Sequence, residues 1–60
     1  MNEYYFEIWT KQVGQVGAKY EFEHAIVEKF PDAITAMEQA EKLYHSDANT
    51  FKRIRNLRKL

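Results

Sequence analysis

The chain opens with a stretch in which two kinds of side chain alternate. Between Glu3 and Gln12 every second residue shares a side of an extended backbone. One side carries Tyr4, Phe6, Ile8 and Thr10, and the other carries Tyr5, Glu7, Trp9 and Lys11. Period-two alternation with aromatic and β-branched residues is typical of a β-strand. We therefore predict a first strand here.

A second alternating stretch follows from Ala18 to Lys29. One of its sides carries Tyr20, Phe22, His24 and Ile26. The intervening Gly14 and Gly17 favour a hairpin loop, because glycine adopts positive φ at little steric cost. If the numbers of opposed residues sum to 32, Tyr5 lies opposite Val27 and Lys11 opposite Glu21. Sums of 28 or 30 are the alternatives.

Pro31 and Asp32 mark a change from strand to helix. Proline cannot donate a ladder hydrogen bond, and an aspartate caps the free amides of a helix start. The residues after them follow a 3.6-residue period, with Ala33, Ile34, Ala36, Met37, Ala40, Leu43 and Tyr44 on the apolar side. The pattern predicts an amphipathic helix, and the polar residues 45–49 predict a loop.

The last segment, from Thr50 to Leu60, is ambiguous because its apolar residues recur every three positions. We favour a third strand, bulged near Lys52 or Arg53, because three strands make a more stable sheet than a lone hairpin. A right-handed crossover then gives an α+β fold of type ββαβ with antiparallel sheet order 2-1-3. The helix would cover the side carrying Tyr4, Phe6, Ile8, Tyr20, Phe22 and Ile26. A basic helix, giving ββαα, is the alternative.

Length and composition limit what this chain can be. Sixty residues, 45% of them hydrophobic, predict one folded domain over residues 1–60 with a small core. The absence of cysteine excludes disulfides and thiolate zinc sites and favours a cytoplasmic location. The apolar runs are far below the roughly 20 residues that span a bilayer, and the first residues lack a signal-peptide pattern.

Residues suited to catalysis are few and scattered. His24 and His45 lie on different elements, outside any ligand spacing, so we expect no metal and no cofactor. Ser46 sits between His45 and Asp47, but residues adjacent in sequence rarely form a relay, and we interpret the segment as a capping loop. No phosphate-binding glycine motif is present. We therefore expect a protein that is not an enzyme.

Two surfaces are candidate binding sites. The first is the strand side that a single helix leaves open, with Tyr5, Trp9 and Val27, because exposed aromatic residues often mark interfaces. It predicts a protein partner or a homodimer, and the small size is typical of regulatory proteins encoded by phages or mobile elements. The alternative interpretation is that this side packs against the C-terminal segment or is ordinary exposed surface.

The second candidate is the basic C-terminal segment. Net charge is zero overall, yet residues 1–47 carry −5 and residues 48–60 carry +5. Its cations are Lys52, Arg53, Arg55, Arg58 and Lys59, with Phe51 and Tyr44 nearby for stacking on bases. Clustered cations with aromatic residues predict nucleic-acid binding. Alternatively, they protect a strand edge and balance the acidic remainder.

No motif identifies a family, but the order of elements has a parallel. The two strands Tyr4 to Gln12 and Ala18 to Lys29, the helix Ala33 to Tyr44 and the last strand Thr50 to Leu57 resemble the layout of the short dimeric uracil-DNA glycosylase inhibitors of phages. The spacing of Ala36, Ala40 and Leu43 is also similar to that in the helix of small antitoxin-type domains. These resemblances concern layout and imply no residue roles.

Overall fold

A computed structural model describes all 60 residues. Its elements are β1 (Asn2–Gln12), β2 (Glu21–Phe30), α1 (Ala33–Leu43) and β3 (Thr50–Lys59). The three strands form an antiparallel sheet in the order β2-β1-β3, and α1 lies on one side of it. The predicted ββαβ fold and strand order are therefore confirmed, and the ββαα alternative is wrong. The single helix has neither the length nor the apolar composition to cross a bilayer.

The hairpin of β1 and β2 follows the predicted register over most of its length. Tyr5 lies opposite Val27, and Gly14 and Gly17 take positive φ in the connecting loop, as predicted. The register shifts between Ile8 and Trp9, because β2 carries one extra residue, Glu23. Beyond this bulge Thr10, rather than Lys11, lies opposite Glu21.

The bulge changes the side on which the start of β2 presents its side chains. Phe22 lies opposite Trp9, so it leaves the side that faces the helix and is 51% exposed. The prediction that α1 covers Phe22 is therefore wrong. Tyr20, just before β2, has Lys11 and Arg53 over its ring and also lines a depression with Met37 and Tyr44.

The core lies between α1 and one side of the sheet. Phe6 and Ile8 of β1 are fully buried, and so are Ala36 and Ala40 of α1. Two small residues one turn apart allow the helix to approach the strands closely, which leaves little room for voids. Tyr4 and Phe30 complete the buried core, and its partly buried rim consists of Ile26, Tyr44, Ile54 and Leu57. Ile34 and Leu43, predicted for the apolar stripe, are largely exposed.

Polar side chains fix both ends of the helix region. Asp32 Oδ1 accepts a hydrogen bond of 2.7 Å from the Thr35 amide, which confirms the predicted cap and lowers the pKa of Asp32 below its ordinary value. In the following loop Asp47 Oδ1 accepts from the amides of Asn49 and Thr50, and its pKa is lowered for this reason. Ser46 Oγ accepts from the Lys52 amide at 2.8 Å. The predicted capping loop is therefore present.

The bulge in β3 explains the three-residue spacing that made its sequence ambiguous. The register against β1 shifts between Tyr5 and Glu7, and Asn56 takes a φ of 57°. This extra residue places both Ile54 and Leu57 against the core, although they are three positions apart. The bulge was predicted, but its predicted position near Lys52 or Arg53 is wrong.

Candidate binding surface on the open side of the sheet

The side of the sheet that α1 leaves uncovered gathers aromatic and basic residues from all three strands. We call it the open face. Cross-strand pairs on it are Tyr5 with Val27 and Arg58, Glu7 with Ala25 and Arg55, Trp9 with Phe22 and Arg53, and Lys11 with Phe51. The aromatic side and the basic segment, predicted as separate sites, thus share one surface.

Cations lie over aromatic rings along the whole length of this face. The guanidinium carbon of Arg58 is 4.3 Å from the centre of the Tyr5 ring, and that of Arg55 is 5.1 Å from the Trp9 ring. Arg53 lies 4.6 Å from the Tyr20 ring. Each distance is within the range of a cation–π interaction, about 6 Å from the ring centre. The rings and cations therefore hold one another in place.

Lys11 extends the same arrangement to the end of the sheet near the hairpin loop. Its Nζ lies 5.0 Å from the centre of the Tyr20 ring and 5.5 Å from that of Phe51. Phe22 packs edge-on against Trp9 with ring centres 5.9 Å apart. Phe51 and Phe22 are 41% and 51% exposed, so they present ring surface that no protein group covers.

One carboxylate organises the centre of the open face. Glu7 accepts hydrogen bonds from the Tyr5 hydroxyl at 2.5 Å, from Trp9 Nε1 at 2.8 Å and from Asn56 Nδ2 at 2.6 Å. These three donors, Tyr5 first, hold the pKa of Glu7 below its ordinary value. The hydrogen bond to Glu7 in turn raises the pKa of Tyr5. Glu7 therefore fixes the orientation of two aromatic side chains.

Sequence reasoning did not identify Glu7 or Asn56 as site residues. In the sequence, Glu7 has the position of an ordinary solvent-facing residue on an alternating strand. Its hydrogen-bond donors are Tyr5 and Trp9, two residues away on either side, and Asn56 on β3. Asn56 reaches Glu7 only because the bulge turns its backbone to positive φ. An asparagine inside a strand, a residue type that tolerates this conformation, is the one signal that the sequence offers.

The predicted basic segment is divided between the two sides of the sheet. Arg53, Arg55 and Arg58 lie on the open face, whereas Lys52 and Lys59 lie opposite Thr10 and Tyr4, on the side of the helix. Tyr44, proposed from sequence as a stacking residue, packs edge-on against Phe6 in the rim of the core. Three of the five predicted cations therefore form one cluster, and the two lysines do not belong to it.

Charge is segregated between the two sides of the sheet as well as along the chain. The open face holds five cations and two carboxylates, a net charge of +3: Lys11, Lys29, Arg53, Arg55 and Arg58 with Glu3 and Glu7. The helix side and its loops hold three cations and six carboxylates, a net charge of −3: Lys42, Lys52 and Lys59 with Glu21, Glu28, Asp32, Glu38, Glu41 and Asp47. Glu23 at the bulge and Lys19 in the hairpin loop balance each other. Most of the carboxylates therefore lie on the helix side, and Glu3 and Glu7 are the carboxylates of the open face.

The histidines serve local contacts. His24, half-buried on the edge strand β2, packs edge-on against Tyr44 and has Nδ1 3.5 Å from a Glu23 oxygen. His45 Nδ1 lies 3.2 Å from the Lys42 carbonyl at the end of the helix. No group of three or more His, Cys, Asp or Glu side chains is placed to hold a metal ion. Two open surface depressions, of about 380 and 450 Å³, lie beside the hairpin loop and between α1 and β3.

Comparison with known proteins adds no identification. No family model, no curated protein and no solved structure matches this chain. The layouts that it resembles in sequence therefore gain no support from these comparisons. Function has to be inferred from the surface itself.

Proposed function

We propose that this protein is a non-enzymatic binding protein that holds single-stranded nucleic acid on the open face. The observation that supports this most strongly is the row of three arginines over aromatic rings on a surface with net charge +3. Proteins that bind single strands combine a cationic track for the phosphates with aromatic rings on which bases stack. Both parts lie here on one side of a sheet.

The two kinds of group take different parts of the ligand. Bases stack on the exposed rings of Phe22 and Phe51 and on the guanidinium groups that lie over Tyr5 and Trp9. The guanidinium N–H groups donate to phosphate oxygens, for which their planar geometry is well suited. Glu7 accepts hydrogen bonds from Tyr5 and Trp9 and so keeps both rings fixed before the ligand arrives.

A single strand fits this surface better than a duplex. A DNA major groove about 12 Å wide accepts a helix or a two-stranded ribbon, whereas the molecule measures 41 × 17 × 13 Å and presents a three-stranded sheet. The helix is no substitute, because its exposed side carries Glu38 and Glu41 and a single cation, Lys42. Extended single strands lie flat across such a sheet.

The positive charge of the open face also affects how well a second copy of the chain or another protein could bind there. Two copies pressed together through their open faces would bring two surfaces of charge +3 into contact, which opposes a homodimer of that kind. An acidic protein partner would complement the positive charge of the open face, but it would leave the exposed rings of Phe22 and Phe51 without a planar group to stack on them. We therefore favour nucleic acid over a protein on this face.

A salt titration of oligonucleotide binding tests the proposal. Trp9, the one tryptophan of the chain, lies on the open face, so its fluorescence reports a base that stacks nearby. If Lys11, Arg53, Arg55 and Arg58 each neutralise one phosphate, affinity for oligothymidylate falls roughly 50-fold between 50 and 200 mM salt. An absence of binding at about 50 mM salt contradicts the proposal.

Two matched ligands separate the alternatives. A duplex of the same length is expected to bind more weakly than the single strand, because its bases cannot reach the rings. A polyglutamate peptide of equal charge is also expected to bind more weakly. If the peptide binds as tightly as the oligonucleotide, an acidic protein becomes the better assignment.

A cytoplasmic location and an origin in a phage or mobile element belong to this proposal. They are supported by the lack of cysteine and by the small size of the chain.

A further inference from the structure

The two edges of the sheet are built differently. The β3 edge carries a cation at half of its ten positions and a bulge at Asn56, and both features discourage pairing with another strand. The β2 edge has neither lysine nor arginine between Glu21 and Glu28, and its middle, His24 to Val27, holds no formal charge with histidine neutral. The β2 edge also has a bulge, at Glu23, so its unprotected part is the regular stretch from His24 to Val27.

The outer edge of β2 also has free backbone groups. Its hydrogen-bonded neighbour in the sheet is β1, and no backbone hydrogen bond joins β2 to a turn, loop or cap. A ten-residue strand then presents a row of amides and carbonyls along its outer edge, which is a template for another strand.

We propose that a second copy of this chain pairs along β2, antiparallel, around a two-fold axis at Ile26. In this register the numbers of opposed residues sum to 52. His24 then lies opposite Glu28 of the other copy and Ala25 opposite Val27, and the bulged Glu23 lies beside Lys29 where the regular pairing ends. An even sum places residues from the same side of each sheet opposite one another, which a two-fold axis through a continuous sheet requires.

Charge complementarity selects this register over its neighbours. A sum of 50 places Glu23 opposite Val27 and Glu28 opposite Phe22, and a sum of 54 places Lys29 opposite Ala25 and Glu28 opposite Ile26. A sum of 52 leaves no charged residue between His24 and Lys29 opposite an apolar one. Opposite charges across strands stabilise a pair, and like charges destabilise it.

The pairing would produce a continuous six-stranded sheet. Both helices would lie on one side of it, and both open faces would adjoin on the other side, which doubles the cationic aromatic surface without joining like-charged surfaces face to face. A second copy would also stabilise a fold in which six of 60 residues are buried, because association stabilises small domains. The dimer does not depend on what the open face binds.

A charge-exchange experiment tests the pairing. Sedimentation of the wild-type chain is expected to show a concentration-dependent dimer. Glu23→Lys brings two positive charges together at this contact, and Lys29→Glu brings two negative charges together, so each variant alone is expected to remain monomeric at concentrations that dimerise the wild type. An equal mixture of the two variants is expected to form heterodimers. Lys52→Glu, on β3, is the control and should dimerise like the wild type.

Cross-linking provides a second measurement that does not rely on charge. The chain has no cysteine, so a mixture of Ala25→Cys and Val27→Cys chains is expected to form an intermolecular disulfide between residues directly opposed across the two-fold axis. A wild-type chain that is monomeric at every concentration overturns the proposal. So do dimers of both charge variants as stable as the wild type, provided that circular dichroism shows each variant to be folded.

Discussion

Strand β1 contributes to two surfaces that hold aromatic side chains in opposite ways. On the helix side, Tyr4, Phe6 and Ile8 are buried, and they pack against apolar groups including Ala36 and Ala40. On the open face, Tyr5 and Trp9 remain half-buried and are held by the Glu7 carboxylate and by the overlying arginines. The same period-two alternation thus produces a core on one side and a polar framework on the other.

The difference indicates what each side is for. Apolar burial gives stability roughly in proportion to the area removed from water, and the helix side provides nearly all of it. Exposed cation–π and hydrogen-bonded contacts contribute little each, yet they fix geometry. A framework that orients rings without burying them adds little to the core and is suited to binding a ligand.

The largest expected effect comes from replacing equivalent large residues on the two sides. Phe6→Ala removes a fully buried ring and should cost about 3–5 kcal/mol of unfolding free energy, which approaches the total stability of a domain this small, about 3–9 kcal/mol. Trp9→Ala should cost less than about 2 kcal/mol, because its ring is only half-buried. Urea unfolding followed by circular dichroism measures both. Equal costs would contradict the division of roles between the two sides.

The next effect is a pH dependence centred on Glu7. Because its pKa is lowered in the fold, the ionised carboxylate stabilises the protein above its ordinary pKa, and this contribution is lost as pH falls through the lowered value. The raised pKa of Tyr5 acts in the opposite direction, since its contribution is lost as pH rises through the raised value.

Glu7→Gln is expected to reduce both dependences. Ultraviolet absorption should show the pKa of Tyr5 lower in the variant than in the wild type, because the charge of Glu7 no longer raises it. Asp32 and Asp47 also lose stabilising contacts in acid, so the variant retains part of the acid sensitivity. A Tyr5 titration unchanged by the substitution would refute the role of Glu7.

The smallest effect concerns the bulge that brings Asn56 to Glu7. Asn56→Ala removes the hydrogen bond to Glu7 while keeping a positive φ that alanine tolerates poorly, so we expect a loss of about 1–2 kcal/mol. Asn56→Gly loses the same hydrogen bond but adopts this φ easily, and its cost should stay within about 1 kcal/mol. Thermal unfolding compares the two variants. A glycine variant less stable than the alanine variant would contradict the strain argument.

Local rules were sufficient to predict the elements and their order. The alternation around Tyr5 and Trp9, the Pro31-Asp32 boundary and the right-handed crossover led to ββαβ and the order 2-1-3, all present in the structure. These rules could not locate the two bulges. The position of an extra strand residue is determined by packing across the strands rather than by the residues next to it in sequence.

The bulges decide the composition of the site. The bulge at Glu23 moves Phe22 to the open face beside Trp9. The bulge at Asn56 turns Leu57 toward the core and Arg58 toward the open face. Without the second bulge, a strictly alternating β3 would have placed Arg55 and Arg58 on opposite sides of the sheet. For this reason the aromatic and basic candidates were predicted as separate sites, and their union follows only from the register.

The central claim is that the arginines of β3 and the exposed rings act as one site, and paired double variants of the same segment test it most directly. Arg55→Ala with Arg58→Ala removes two charges from the open face, while Lys52→Ala with Lys59→Ala removes two from the helix side. We expect the arginine pair to weaken oligothymidylate binding by more than about tenfold and the lysine pair by less than about threefold at the same salt concentration. Equal losses in the two double variants would contradict the claim.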